Sequence, residues 1–200
     1  VDVLNMSAID GVLTAAKQKE QAGDLAGAQS VLDAAPEKDR TGAWHYARGA
    51  MAVRAGNLDE GLAQLEKAVQ REPEIAEYRS NYGAALLEKV KAGDASLGKR
   101  ALEQLELAVQ WGATLPDVYA NLSFARLVNG DPNGALAAAD VGVRLDERHV
   151  PSLYNRAAAL NALNQLVPCL TTLETLLKLS PGFAPAVTSR ANTLKKLGRA

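Results

Sequence analysis

The sequence predicts an all-α chain of stacked helical hairpins. Three observations predict it: an internal repeat of about 34 residues, small and apolar residues at helical spacing within each repeat, and a composition with 48% hydrophobic but only 4% aromatic residues. The apolar content is therefore carried by Ala, Leu and Val. That suits closely packed helices better than a β-sandwich, which draws on β-branched and aromatic residues.

The repeat is read from four series. Leu62, Leu65, Ala68 and Val69 recur 40 residues later as Leu102, Leu105, Ala108 and Val109. They recur again, 34 residues on each time, as Leu136, Ala139, Gly142 and Val143, then as Leu170, Leu173, Leu176 and Leu177. Within each unit these positions share one helical face. A second series of small residues, Gly49, Gly83, Ser123, Ala157 and Ala191, marks where two helices cross with little room. Gly56, Gly130 and Gly198, with Asn164 standing in, are residues that end a helix in the left-handed conformation. Pro73 and Pro181 fall just past helix ends.

These landmarks predict helices over about 7–22, 24–35, 41–55, 58–71, 75–91, 97–111, 116–129, 132–146, 150–163, 166–179 and 183–197. The single 40-residue interval places six extra residues around Val90 to Lys99, where Gly93, Asp94 and Gly98 read as a surface loop. The first unit is a residue short and has Pro36 early. Arg48, Arg156 and Arg190 fall at a site that is commonly apolar; their stems pack while their heads reach solvent or an acidic neighbour.

The stretch from Ala43 to Pro73, with Trp44, Gly49, Gly56-Asn57-Leu58-Asp59-Glu60, Ala68 and Pro73, resembles the tetratricopeptide repeat family. The resemblance covers nearly the whole chain, although Gly61 stands where Ala is usual. It implies a right-handed α-solenoid forming a single domain over 1–200, with first helices lining a concave wall. The repeats fall at about 9–41, 42–75, 76–115, 116–149 and 150–183, and a terminal half-repeat covers 184–200. The last helix carries Lys195, Lys196 and Arg199, as a solvating cap or as the point where a longer array is cut.

Several function classes are disfavoured. A net charge of −1, without a basic stripe interleaved with aromatics, argues against nucleic acid. No run approaches the ~18 apolar residues of a membrane helix. Cys169 is the only cysteine, so no intramolecular disulfide forms; it reads as a small buried hydrophobe. His45 reads as a groove or surface residue and His149 as a loop residue, neither with a metal-ligand partner at suitable spacing. No phosphate-binding glycine loop and no distinctive acid pair appears, so no enzyme activity, metal or cofactor is expected.

The informative constellation lies two residues before the small crossing site of three consecutive repeats, at Asn81, Asn121 and Asn155. Equivalent spacing gives them one structural environment, facing the concave wall. An asparagine amide offers a donor and an acceptor together, which can clamp one peptide group. The resemblance implies that such asparagines hold an extended peptide; the alternative is that they bond locally or face water. Tyr46, Phe124 and Tyr154 are expected to flank them as anchors, or else to pack between repeats. Leu87, Leu127 and Asn192 extend the same wall. Binding of the C-terminal tails of heat-shock chaperones is disfavoured, because the sites that hold Lys in such family members carry Tyr46, Ser80, Ala120 and Tyr154. Trp111 plugs the joint to the next repeat or covers an edge.

The expected function is a non-enzymatic protein–protein interaction scaffold or adaptor taking a partner peptide or helix in its groove. The alternatives are a self-assembling structural array, hence a homo-oligomer, and a regulatory interaction segment of a larger protein. The Ala-rich composition leans towards a bacterial source, in cytoplasm or periplasm.

Overall fold

Eleven α-helices and two 3-10 turns make up residues 3–199, which the computed structural model describes, with side chains from residue 8. Val1, Asp2 and Ala200 lie outside the described residues. The helices are α1 (Val3–Gln21), α2 (Leu25–Asp33), α3 (Gly42–Arg54), α4 (Leu58–Arg71), α5 (Ala76–Lys91), α6 (Gly98–Gln110), α7 (Pro116–Val128), α8 (Pro132–Leu145), α9 (Val150–Ala162), α10 (Leu166–Leu179) and α11 (Ala184–Lys196). The expected helices are all present, with boundaries within a few residues. Successive helices pair as antiparallel hairpins, and each hairpin packs on the next, giving an all-α solenoid.

The ends of the helices are fixed locally. Asp24 and Asp131 cap α2 and α8 by accepting the backbone N–H of Gly27 and Gly134, each at 2.8 Å. Proline opens α7, α8, α9 and α11 in the first turn, where its missing N–H is not needed. The inner turns of the hairpins close as expected. Gly56 and Asn164 take φ of 84° and 57°, and the next residue's N–H reaches back to the last full turn, Asn57 to Ala52 and Gln165 to Leu160.

Crossing sites are as tight as the small-residue series requires. A Cβ on Gly83 would meet the Leu105 side chain at 2.7 Å, and one on Gly49 would meet Leu65 at 2.9 Å. Ser123 is fully buried there and satisfies its hydroxyl by donating to the Ala135 carbonyl at 2.8 Å. Ala191 stays exposed, because α11 has no second helix against it among the described residues.

The 40-residue interval turns at Gly93 and Asp94, as expected, with φ of 111° at Gly93. It lengthens α5 to 16 residues, against 13 in α3, α7 and α9, and adds a 3-10 turn at Ala95–Leu97. Gly98 is buried at the start of α6 with helical dihedrals, so the reading of it as a loop residue is corrected. Absorbing the extra residues as helix keeps their backbone groups hydrogen-bonded.

Each joint between repeats carries an acid–arginine pair from one recurring series of acids. Asp33 meets Arg48 at 3.0 Å, Glu66 meets Arg100, Glu106 meets Arg126 at 3.3 Å, Asp140 meets Arg156 at 2.6 Å, and Glu174 meets Arg190 at 3.8 Å. The arginine stems lie along the apolar joint while their heads find these carboxylates, as expected for Arg48, Arg156 and Arg190. The acids recur at 33, 40, 34 and 34 residues, a fifth series that spacing alone could have shown.

First helices approach one another across successive repeats, α3 to α5, α5 to α7 and, most closely, α7 to α9. Second helices do not approach comparably among the described residues. That asymmetry curves the array and puts α1, α3, α5, α7 and α9 on its inner wall.

Candidate docking groove

The inner wall places the three asparagines in three different situations. Asn155, half-buried on α9, donates from Nδ2 to the Ala120 carbonyl on α7 at 2.8 Å. Asn81 spends its amide protons on the Tyr46 hydroxyl at 3.3 Å and on the Glu77 carbonyl at 2.9 Å. Asn121, also half-buried, makes no side-chain hydrogen bond among the described residues. Its amide faces a cleft of about 340 Å³ with donor and acceptor both available.

That cleft is built by α7, α9 and the turn before α11. Asn121, Phe124, Tyr154 and Asn155 line it, joined by Phe183, Lys91 and Asp117. Tyr154 and Phe183 meet edge to face at 5.4 Å between ring centres, making an aromatic corner. Lys91, at the end of the lengthened α5, places its ammonium 5.3 Å from the Phe124 ring centre. Asp117 accepts at 3.1 Å from Nε2 of His149, whose Nδ1 takes the Ser152 backbone N–H at 3.3 Å. His149 is thus the cap of α9 and a link to α7, more than a loop residue.

Asn192 lines an adjoining cleft of about 430 Å³ with Tyr154, Ala158, Asn161 and Lys195. Lys196 bridges α11 to α9 by donating to Asn161 Oδ1 at 2.8 Å. Tyr154 lines both clefts, which therefore adjoin along α9.

Tyr46 lies outside that groove. It stacks on Tyr78 at 4.7 Å, and its hydroxyl donates to Glu77 at 2.7 Å. Burial, then the Glu77 carboxylate, pushes its phenol well above the ordinary range. Together with Asn81 it forms a closed polar cluster joining α3 to α5.

Two of the expected wall residues fall elsewhere. Leu87 is 0% exposed and belongs to the central core. It lies six residues after Asn81, about 120° around a helix of 3.6 residues per turn, so it faces inward between α5 and its neighbours. Leu127 bears the same relation to Asn121 and is half-buried. Trp111, expected to plug a joint or cover an edge, is 45% exposed at the end of α6, so it does not plug a joint. His45 is neither a groove nor a surface residue: it is 5% exposed between α3 and α4, with Nδ1 2.7 Å from Gln64 Oε1.

Phe183 and Lys91 went unmarked in the sequence reading. Phe183 stands at the N-cap of α11 and Lys91 at the end of α5, both where helices were expected to begin or end, but neither shares the asparagine spacing that marked the wall. Cys169 is buried as expected, its thiol 3.3 Å from the Ala157 carbonyl. Among the described residues no group of His, Cys, Asp and Glu is placed to hold a metal ion. No described helix is long and apolar enough to cross a membrane.

No protein-family model matches the chain, and no curated protein matches it. Solved structures do. PilF of Pseudomonas aeruginosa superposes with a TM-score of 0.76 at 18% identity, over 98% of this chain and 86% of that one. YrrB, a tetratricopeptide repeat protein described as having an unusual peptide-binding site, gives 0.73 at 17% identity, over 94% and 97%. MamA 41-end from Desulfovibrio magneticus RS-1 gives 0.72 at 16% identity, over 87% and 96%. At these identities the likeness is one of architecture, and the architecture of this chain is that of tetratricopeptide-like hairpins.

Proposed function

We propose that this chain is a non-enzymatic docking scaffold that takes an extended segment of a partner protein in the groove along α9. The observation that carries the reading is Asn121. It is a half-buried amide with no side-chain partner among the described residues, facing a cleft whose walls are Phe124, Tyr154 and Phe183. A peptide backbone satisfies both halves of that amide, while the aromatic walls accept an apolar side chain beside it. The Asn155 carbonyl oxygen and Asn192 extend the polar edge in the direction of Lys195. The peptide-binding site named for YrrB, on the same architecture, is in keeping with this use.

The test is affinity capture from native lysate, followed by identification of the segment bound. Phe124→Ala and Asn121→Ala are compared with the unaltered chain, each checked for helicity. Loss of the same partner in both folded variants is expected. A partner retained by both places the binding surface elsewhere.

A second reading rests on a separate observation. At the end of the array, Leu177, Pro181, Val187 and Leu194 line an open apolar cleft of about 560 Å³. Self-association through this end would cover it. Concentration-dependent mass that is abolished by Val187→Asp would favour that reading.

A further inference from the structure

Outside the groove, a cleft of about 250 Å³ opens between the link preceding α3 and the hairpin α3/α4. Its charged lining among the described residues is unbalanced: Arg40, Lys67 and Arg71 against Glu37 alone. Arg40 is held in place by stacking 4.5 Å over the Trp44 ring and by donating from Nε to the Ala35 carbonyl at 3.3 Å. Arg71 donates to the Arg40 carbonyl, so the two guanidinium groups are tied to the same link. His45 also lines the cleft. Its Nδ1–H is taken by Gln64, and its Nε2 is buried with no hydrogen-bond partner. A buried polar atom left unsatisfied costs about 1–3 kcal/mol, which calls for an explanation where it lines a cationic cleft.

We propose that this cleft is an oxyanion site for a tetrahedral group, sulfate or phosphoryl, whose charge meets Arg40, Lys67 and Arg71 while protonated His45 donates to it from Nε2. In the empty cleft burial and the three cations favour neutral His45, whose Nε2 then carries only a lone pair. An entering anion offsets the cations. His45 then takes one proton from solvent, and Nε2–H becomes the donor the anion needs. Binding is therefore coupled to uptake of a single proton at a named atom. Charge-assisted hydrogen bonds of this kind are the strong ones, and guanidinium groups suit oxyanions geometrically. Glu37 opposes the anion and sets an upper bound on its affinity. The site is separate from the docking groove, whose α7 wall lies two hairpins away.

The probe is sulfate, titrated at constant ionic strength into the full chain while the imidazole resonances of His45 and His149 are followed. The expected result is a saturable change at His45, with its titration moved to higher pH, and no change at His149. In Lys67→Gln, a change at an exposed residue, affinity falls about tenfold; in Glu37→Gln it rises. A non-saturating change, an equal change at both histidines, or the same affinity in Lys67→Gln overturns the proposal and leaves an adventitious ion only. With sulfate binding established, inorganic phosphate and a phosphoserine peptide identify the source. Equal affinity points to the free ion, and tighter capture of the peptide to a phosphorylated partner.

Discussion

The side-chain amide of Asn155 lies 2.8 Å from the backbone oxygen of Ala120, one helix back along the inner wall. An asparagine two residues before the crossing site therefore stitches α9 to α7. Asn81 does similar work between α5 and α3 through Tyr46, at 3.3 Å. Asn121, in the same register, makes no such bond, and it is the one that faces a cleft. Equal spacing in sequence thus gives two structural amides and one available amide.

Substitution separates these roles. Asn155→Ala removes an inter-helix bond and leaves the Ala120 carbonyl short of a donor, at a cost of about 1 kcal/mol. Asn121→Ala changes stability by no more than ~0.5 kcal/mol, because it removes no side-chain bond among the described residues. Urea unfolding of the two variants against the unaltered chain checks the ordering.

Close crossing makes the glycines sensitive. Gly83→Ala places a methyl 2.7 Å from Leu105, and Gly49→Ala places one 2.9 Å from Leu65. Each is expected to lose about 1–3 kcal/mol through overpacking. Ala191→Leu, at the exposed equivalent position, changes stability by no more than ~0.5 kcal/mol. Thermal unfolding of the three variants measures the contrast.

The joint arginines differ in what they contribute. The Arg48 side chain is 13% exposed and meets Asp33 at 3.0 Å and Glu60 at 2.6 Å. Arg190 is 44% exposed and stands 3.8 Å from Glu174. Arg48→Met is expected to cost about 1–2 kcal/mol through lost charge-assisted bonds, and Arg190→Met less than ~0.5 kcal/mol. Added salt narrows the difference only slightly if burial protects the first pair.

Stability should depend on pH through His45. Burial, followed by the charges of Arg71, Lys67 and Arg40, holds its imidazole below the ordinary value of 6.5. The unfolded chain therefore binds the proton more readily. The contribution is complete above about pH 6.5 and is lost as pH falls from there through the folded value. His45→Gln flattens this part of the profile, as unfolding midpoints between pH 7 and pH 5 would show.

Most of the architecture was legible in the sequence because each landmark answers one local constraint. Gly56 and Asn164 had to be left-handed, and Gly49 and Gly83 had to be small, so their spacing gave the hairpins directly. The insertion was read correctly at Gly93, which takes a left-handed turn, and at Lys91, where α5 ends; Gly98 was misplaced because a glycine suggests a loop, whereas here it opens α6. The groove was only half legible. Spacing grouped Asn81, Asn121 and Asn155, but hydrogen bonding depends on what lies opposite: Tyr46 and the Glu77 carbonyl for Asn81, the Ala120 carbonyl for Asn155. Leu87 was misplaced by counting six residues as two turns. His45 took no groove role because its face of α3 meets α4, and its neighbours Lys67 and Arg71 come from a helix more than twenty residues away.

The central claim is tested most directly by mapping a bound partner segment on the isotopically labelled chain. Amide and side-chain resonances are followed as the captured segment is added. The account predicts that Asn121 side-chain protons and the rings of Phe124, Tyr154 and Phe183 shift together, with saturation, while the second helices stay in place. Shifts confined to the second helices, or to the open face of α10 and α11, would contradict it.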